Sequence, residues 1–213
     1  MTNVTIIGAG NMGRGIGTRL VAAGHEVQIL APTPDHAADL AGELATGEGS
    51  VSGGGMDEAI SGDVVVLATP YEGALDVADK LGDRLGGKVV VDITNPVDWA
   101  TFDRLVTPAD SSAAEEIASR LSASPVVKAF NTTFAGTLVA GGVSGQSLDV
   151  FVAGDDEEAK RAVAALVESA GMRPVDTGPL RRARQLEHLG FLHMAMQEPM
   201  GTGFGSAFKV VAP

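Results

Sequence analysis

The chain has 213 residues, 45% of them hydrophobic, and its 27 acidic against 15 basic side chains give a formal net charge of -12. That length suits one globular domain, or one domain with a small appendage, and the acidity disfavours nucleic acid and anionic membranes as partners, because both present phosphate. The absence of cysteine excludes a disulfide framework, a thiolate nucleophile and a cysteine metal site, and with no basic leader and no apolar run of roughly 18 residues a cytoplasmic protein is expected.

The first element is the most informative. Residues 3–30 read NVTIIGAGNMGRGIGTRLVAAGHEVQIL. A short apolar strand runs directly into Gly8, Gly10 and Gly13, and these open a helix whose apolar positions Ile16, Leu20 and Val21 recur at helical spacing. Gly24 ends the helix and a second apolar strand follows. Strand, glycine-rich turn and helix in that order form a dinucleotide cradle. Gly8 allows a tight turn, Gly10 lets the backbone approach a pyrophosphate, and Gly13 lets the helix pack on the strand. The segment Gly8, Ala9, Gly10, Asn11, Met12, Gly13 then aims its exposed N–H groups at the anion.

The end of the second strand bears on which dinucleotide binds. An acid there holds both ribose hydroxyls of NAD, whereas arginine and small hydroxyl residues suit the 2'-phosphate of NADP. The chain reads VQILAPTPDHAADL, and Ala31 and Pro32 offer neither. Asp35 lies beyond two prolines and is expected to cap the next helix. Without a carboxylate to repel a 2'-phosphate, NADP is the expected nucleotide, with Thr33, His36 and Arg14 as its candidate contacts. The alternative for Thr33 and His36 is an ordinary solvated loop.

Further strands are expected at residues 64–68, 89–93, 126–130 and 150–153, with weaker ones near Val51 and at 173–175. Most are β-branched runs without alternation, as in strands covered by helices on both faces. The glycine-rich connection GEGSVSGGGMDE is expected to be mobile. The stretch DDEEAKRAVAALVESAG predicts a helix with acids in its first turn, an apolar face of Ala159, Val163, Leu166 and Ala170, and a stop at Gly171. The alternation of strands and helices argues a doubly wound, mostly parallel α/β sheet.

In such a sheet ligands sit at the carboxyl ends of strands, near the point where strand order reverses. The residues expected there are Thr69, Pro70 and Tyr71, then Thr94, Asn95 and Pro96, then Asn131, Thr132 and Thr133. All are hydroxyl, amide or proline residues; the other reading of each turn is a structural cap. No nucleophile–base–orienter set and no Gly-x-Ser-x-Gly elbow is present, so no residue is assigned a catalytic or metal-binding role. Hydride transfer needs orientation and water exclusion more than a proton shuttle.

The remaining polar residues are read as follows. His188 and His193 are five apart, which does not suit two ligands on one helix face; a helix-surface role is expected. Lys128 lies in a strand run, its stem packed and its head on a carboxylate or solvent, the other reading being a catalytic lysine. Arg181, Arg182 and Arg184 cluster at a helix start, where the macrodipole gains nothing from them. They serve either an anion, such as a cofactor phosphate or an acidic tail, or surface salt bridges. The segment MGTGFGSAFKVV, with Phe204 and Phe208, closes the pocket or packs on a second subunit.

Taken together, GAGNMGRGIGTRLVAAGHEV, ATPYEGALDVA, DITNP, KAFNTTFA, VAGDDEEAK and DTGPLRRARQLEHL make the chain resemble the 8-hydroxy-5-deazaflavin (coenzyme F420)-dependent NADP oxidoreductases, and the soluble reductase domain of the STEAP metalloreductases. The first segment is also similar to 3-hydroxyacid dehydrogenases and pyrroline-carboxylate reductases, but those need a large second domain where only about 38 residues follow Val175 here. The resemblance implies a Rossmann-type domain over residues 1–178, with residues 179–213 as a C-terminal helix and tail completing the pocket. It implies hydride transfer between NADP(H) and a deazaflavin packed against the nicotinamide, with a homodimer as the possible assembly. Two positions depart from the family: Ala31-Pro32 replaces its usual Ser-Arg, and Asn131 replaces a histidine that a proline-containing turn follows. A flavin or ferric-chelate reductase therefore stays open, as does a nucleotide sensor without turnover.

Overall fold

The structure, a computed structural model, describes residues 1–211; Ala212 and Pro213, the last two of the expected C-terminal segment, lie outside them. The strands are β1 (Asn3–Ile7), β2 (Glu26–Ala31), β3 (Ser50–Gly55), β4 (Val64–Leu67), β5 (Val89–Asp92), β6 (Val126–Lys128), β7 (Asp149–Gly154) and β8 (Arg173–Asp176). They form one sheet in the order β3-β2-β1-β4-β5-β6-β7-β8. All neighbours run parallel except β6 and β7. The weak glycine-containing segment around Val51 is an edge strand, held by its ladder to β2.

Continuous apolar strands here serve two cores. Val4, Ile6, Val64, Val66, Val91 and Val127 face one layer, with helices α1 (Asn11–Ala22), α2 (Pro34–Leu44) and α6 (Glu157–Ser169). Ile7, Val65, Leu67, Val90 and Val126 face the other, with α3 (Tyr71–Leu85) and α4 (Ala113–Ala118). Alternate residues of one run go to opposite sides, as a pleated strand requires. Both sides are covered, so no polar residue marks the alternation.

Helix ends follow their local chemistry. The Asp156 carboxylate accepts the N–H groups of Glu158 and Ala159 at the start of α6, and Gly171, at φ 79°, follows its end. At α2 the expectation is corrected. Thr33 takes the cap position and Pro34 the first turn, so Asp35 lies inside the helix. Proline at the first helical position, with its fixed φ and missing N–H, sets that start. The short helix α5 (Ala135–Ala140) packs against α1, and α7 (Ala183–Met200) follows a single 3-10 turn at Leu180–Arg182. No helix among the described residues is long and apolar enough to cross a membrane.

After α7 the chain turns back along the protein. Its far end is fastened to Asp149, whose side chain is wholly buried. That carboxylate accepts Lys209 Nζ at 2.7 Å, the Val210 N–H at 2.8 Å and Arg173 Nε at 2.8 Å. Burial alone would raise its pKa, but these donors outweigh it and hold the carboxyl at about 2. A carboxyl lower in the folded than in the unfolded chain stabilises above its unfolded value near 4, and that contribution drains away as pH falls toward 2. The clamp is worth about 2 kcal/mol at neutral pH. Urea unfolding of the wild type from pH 6 to pH 2 is expected to show this loss, and Asp149→Asn is expected to start lower and lack that part of the slope.

Candidate functional site

The glycine turn leaving β1 has the sterics of a nucleotide loop. Gly8 sits at φ 122°, and a Cβ there would lie 2.3 Å from the Ala68 carbonyl oxygen. A Cβ on Gly13 would lie 2.2 Å from the Gly8 carbonyl oxygen, so α1 touches the turn directly. Gly10 is different: a Cβ there would meet nothing within 4 Å. The turn and the helix are closed on each other, while the space over Gly10 is open.

That space belongs to a cavity of about 590 Å³ beside the junction of β1 and β4, where strand order reverses. Gly10, Asn11, Met12, Thr69, Pro70, Asn95, Pro96 and Asn131 all line it. Gly8, Ala9 and Gly13 form the turn behind. Its chemistry is neutral, since Glu72 is the one charged residue among its described lining. Three polar atoms on the lining residues are buried without a partner: Thr69 Oγ1, Thr94 Oγ1 and Asn131 Oδ1. Two hydroxyls and one acceptor left this way are costly unless a ligand satisfies them. Open space over Gly10 and orphaned polar atoms deeper in fit a nucleotide laid across the turn with a ring at its inner end. Tyr71 lines the same cavity. Burial, then the neighbouring Glu116, raises its pKa, so the phenol stays protonated as a donor.

Asn131 is placed by strain. Phe130, fully buried, takes the left-handed φ of 61°, which bends the chain out of β6 and is characteristic of functional sites. Asn131 Nδ2 donates to Asn95 Oδ1 at 2.9 Å and to the Leu186 carbonyl at 2.8 Å, while Asn95 Nδ2 donates to the Asn131 carbonyl at 2.7 Å. Helix α7 rides on this pair at Gly190, where a Cβ would sit 2.6 Å from Asn95 Oδ1.

Beneath the pair lies a buried ion cluster. Lys128 Nζ is 2.8 Å from Asp92 Oδ2 and 2.8 Å from Glu187 Oε1, and all three side chains have no exposed surface. Lys128 also donates to the Thr94 carbonyl. Asp92 Oδ1 accepts the Thr94 N–H, and Glu187 accepts the N–H groups of Ala113 and Ala114. Burial opposes the lysine's charge, but the two carboxylates overcome it and keep the ammonium protonated. Burial pushes Glu187 up, against the pull of Lys128. With its head on carboxylates and the Thr94 carbonyl, Lys128 takes the packed-stem role rather than that of a catalytic lysine.

Several expected residues lie elsewhere. Thr132 is buried and does not line the cavity. The turn that brings Asn131 and Thr133 to the cavity directs the Thr132 carbonyl to His193 Nδ1, 3.1 Å away. His193 is therefore not a surface residue: it is buried between the rings of Phe134 and Phe208 and contacts Ser206 Oγ at 2.9 Å. Burial lowers its pKa and keeps it neutral. His188 is exposed, as expected. Arg184 forks onto Glu115, and none of Arg181, Arg182 and Arg184 reaches the cavity. Thr33 and His36 are exposed at the start of α2, outside the cavity, and Arg14 is engaged by Glu43. Sequence reasoning missed Trp99 and Met194 as lining residues. A lone tryptophan in a polar loop was the available signal for the first; Met194 had none, being one apolar residue on a long helix.

Four comparisons with known proteins bear on this site. A family model described as NADP oxidoreductase coenzyme F420-dependent matches residues 3–96. The F420-dependent NADP reductase of Methanothermobacter thermautotrophicus is 31% identical over 201 residues, 89% of this chain and 86% of that protein. Metalloreductase STEAP3 of Rattus norvegicus is 34% identical over 184 residues, and the chain spans only 35% of that protein's length. A crystal structure from Arthrobacter sp. FB24, proposed to be an F420-dependent NADP reductase, superposes with a TM-score of 0.84 at 28% identity, covering both chains in full.

Removing one member of a buried ion cluster strands the others. Lys128→Met is expected to lower unfolding free energy by about 3–5 kcal/mol, because two buried carboxylates lose their counter-ion. Glu187→Gln, which keeps the shape and relieves the excess negative charge, is expected to cost less. Chemical denaturation of the three proteins at one pH gives the ranking.

Proposed function

The chain belongs to the coenzyme F420-dependent NADP oxidoreductase family, and on that premise we propose that it transfers a hydride between NADP(H) and a deazaflavin held beside the nicotinamide. The cavity carries this reading. It lies at the switch point, it begins at an open glycine-turn surface, and three of its lining residues carry a buried, unpartnered polar atom. Its described lining holds no acid–base pair of the kind hydrolysis needs. Bound NADPH supplies a hydride, two electrons on one hydrogen, and a solvent proton completes reduction of the acceptor.

The chain's own residues then bind, orient and exclude water. The N–H groups from Gly10 to Met12 receive the pyrophosphate. Thr69, Thr94 and Asn131 satisfy and orient the rings. Phe134, Trp99 and Phe204 keep water out. A second reading, an NADPH-dependent flavin or ferric-chelate reductase, draws support from the 34% identity to a metalloreductase. A sensor without turnover is the less favoured reading, because a nucleotide alone leaves the aromatic outer half of the cavity without a purpose. The same proposal places the protein in the cytoplasm as a homodimer, with a small-molecule redox partner and no nucleic acid.

Anaerobic mixing with NADPH and either coenzyme F420, FMN or ferric citrate, followed by NADPH absorbance, ranks the acceptors. Absence of NADPH oxidation with all three would leave the sensor. Gly10→Val is expected to fold, since its side chain enters open space, and to lose nucleotide binding. Unchanged affinity in the folded variant would remove the loop from the site. With no arginine or carboxylate after β2 and Arg14 held by Glu43, NADP is expected to be favoured over NAD by less than the roughly thousandfold that about 4 kcal/mol gives. Titration of both nucleotides decides this, and a preference for NAD would mean that Asp35 reaches the ribose.

A further inference from the structure

The ion cluster beneath the cavity does not balance. Lys128, Asp92 and Glu187 have no exposed surface, and they carry two negative charges against one positive. Lys128 commits its three N–H groups to Asp92, Glu187 and the Thr94 carbonyl. Among the described residues no other cation pairs with either carboxylate. Both acids are held ionised by geometry. Glu187 accepts N–H groups from Lys128, Ala113 and Ala114, and Asp92 accepts them from Lys128 and Thr94. Burial raises the pKa of Glu187, but a proton on it would displace one of those donors. One excess negative charge therefore stays in an interior where salt and water screen it little.

That charge reaches the cavity. Thr94, bonded to both Asp92 and Lys128, lines it, and so does Asn131, which donates to the carbonyl of Leu186 next to Glu187. The phenol of Tyr71, another lining residue, feels the Glu187 charge. Nothing close by offsets it. The described lining has no lysine, arginine or histidine, and its one charge, the exposed Glu72, is also negative. Of the neighbouring cations, Arg184 is paired with Glu115, and Arg120 stands between Glu116 and Asp79.

The two forms of the nucleotide share every phosphate and differ in one charge, which NADP+ carries on its nicotinamide ring and NADPH lacks. When NADPH gives up a hydride, two electrons leave on one hydrogen and the ring becomes cationic. The acceptor takes that hydride and a solvent proton.

We propose that the unbalanced cluster makes the site prefer NADP+ to NADPH, with Glu187 and Asp92 as the residues that set the preference, so that bound NADPH is a stronger hydride donor than free NADPH. This rests on the hydride-transfer reading above, which puts the ring at the inner end of the cavity, and adds the direction in which the site biases transfer. One elementary charge acting over roughly 12 Å, at an effective dielectric constant of about 20, gives about tenfold in relative affinity, or about 30 mV for a two-electron couple.

The test is isothermal titration calorimetry at pH 8, without acceptor, of NADP+, NADPH and 2',5'-ADP, which carries the adenosine half and no nicotinamide. Wild type is expected to bind NADP+ about tenfold more tightly than NADPH, and to keep that ratio in about 0.5 M salt, because the charge is buried. Glu187→Gln and Asp92→Asn are each expected to bring the two affinities within about twofold of each other, while 2',5'-ADP binds within about twofold of wild type. A loss of packing alone would weaken both nucleotides equally and leave the ratio where it was. Glu72→Gln, at the exposed rim, is expected to move the ratio by less than about twofold. Equal affinities or tighter NADPH in wild type overturn the proposal whatever the variants do. So does a ratio unchanged in both folded variants, or one abolished by Glu72→Gln alone. Failure of all three ligands to bind sinks the hydride reading and this inference with it. A tenfold ratio that collapses in the variants, with no NADPH oxidation by any acceptor, leaves the charge effect standing and sinks the hydride reading alone.

Discussion

The contact on which the site depends is the one between Lys128 and its two carboxylates. Lys128 ends β6, Asp92 ends β5 and Glu187 lies on α7, so one ammonium ties two strand ends to the terminal helix. The same ammonium holds the Thr94 carbonyl, and Glu187 reaches the first N–H groups of α4. Buried ion pairs contribute little net stability, because desolvation offsets their attraction. What this cluster contributes is position. With two carboxylates and one ammonium in a dry interior, few arrangements satisfy every lone pair, and the one observed sets the turns after β5 and β6 against α7.

Above the cluster, close approach replaces charge. Gly190 lets α7 rest on the Asn95–Asn131 pair, at the cost of about 1 kcal/mol that glycine carries inside a helix. Phe130 stores strain in a left-handed backbone, and the aliphatic core in which its ring is buried keeps that conformation in place. These features hold Asn131 with its donor side already committed and its acceptor oxygen unpartnered.

The cavity that results has little reactive chemistry of its own. Its groups are hydroxyls, amides, prolines and rings, and the titratable side chains nearest to it are tied up below or sit at its rim. A cofactor that carries its own reactivity needs walls of this kind: fixed dipoles, few competing nucleophiles and excluded water. An acid or base poised at the ring would add a side reaction rather than speed hydride transfer.

The amino-acid sequence by itself determined the strands, the glycine turn and the neutrality of the residues 69–71, 94–96 and 131–133 that follow the strands. Those depend on interactions within a few residues: a β-branched run, a φ that only glycine adopts easily, a helix start with free N–H groups. It also carried the family, because the motifs DITNP, KAFNTTFA and DTGPLRRARQLEHL survive as contiguous strings. It did not determine that His193 is buried, that Thr132 turns away while Asn131 and Thr133 face inward, or that Trp99 and Phe204 share one mouth. Nor did it pair Lys128 with Glu187, 59 positions away. Each of these is settled by which side of a turn or helix meets a distant segment. A local pattern records the apolarity of a residue but not its neighbour, so burial of charge and convergence of rings were decided only when α7 and the tail packed across the sheet.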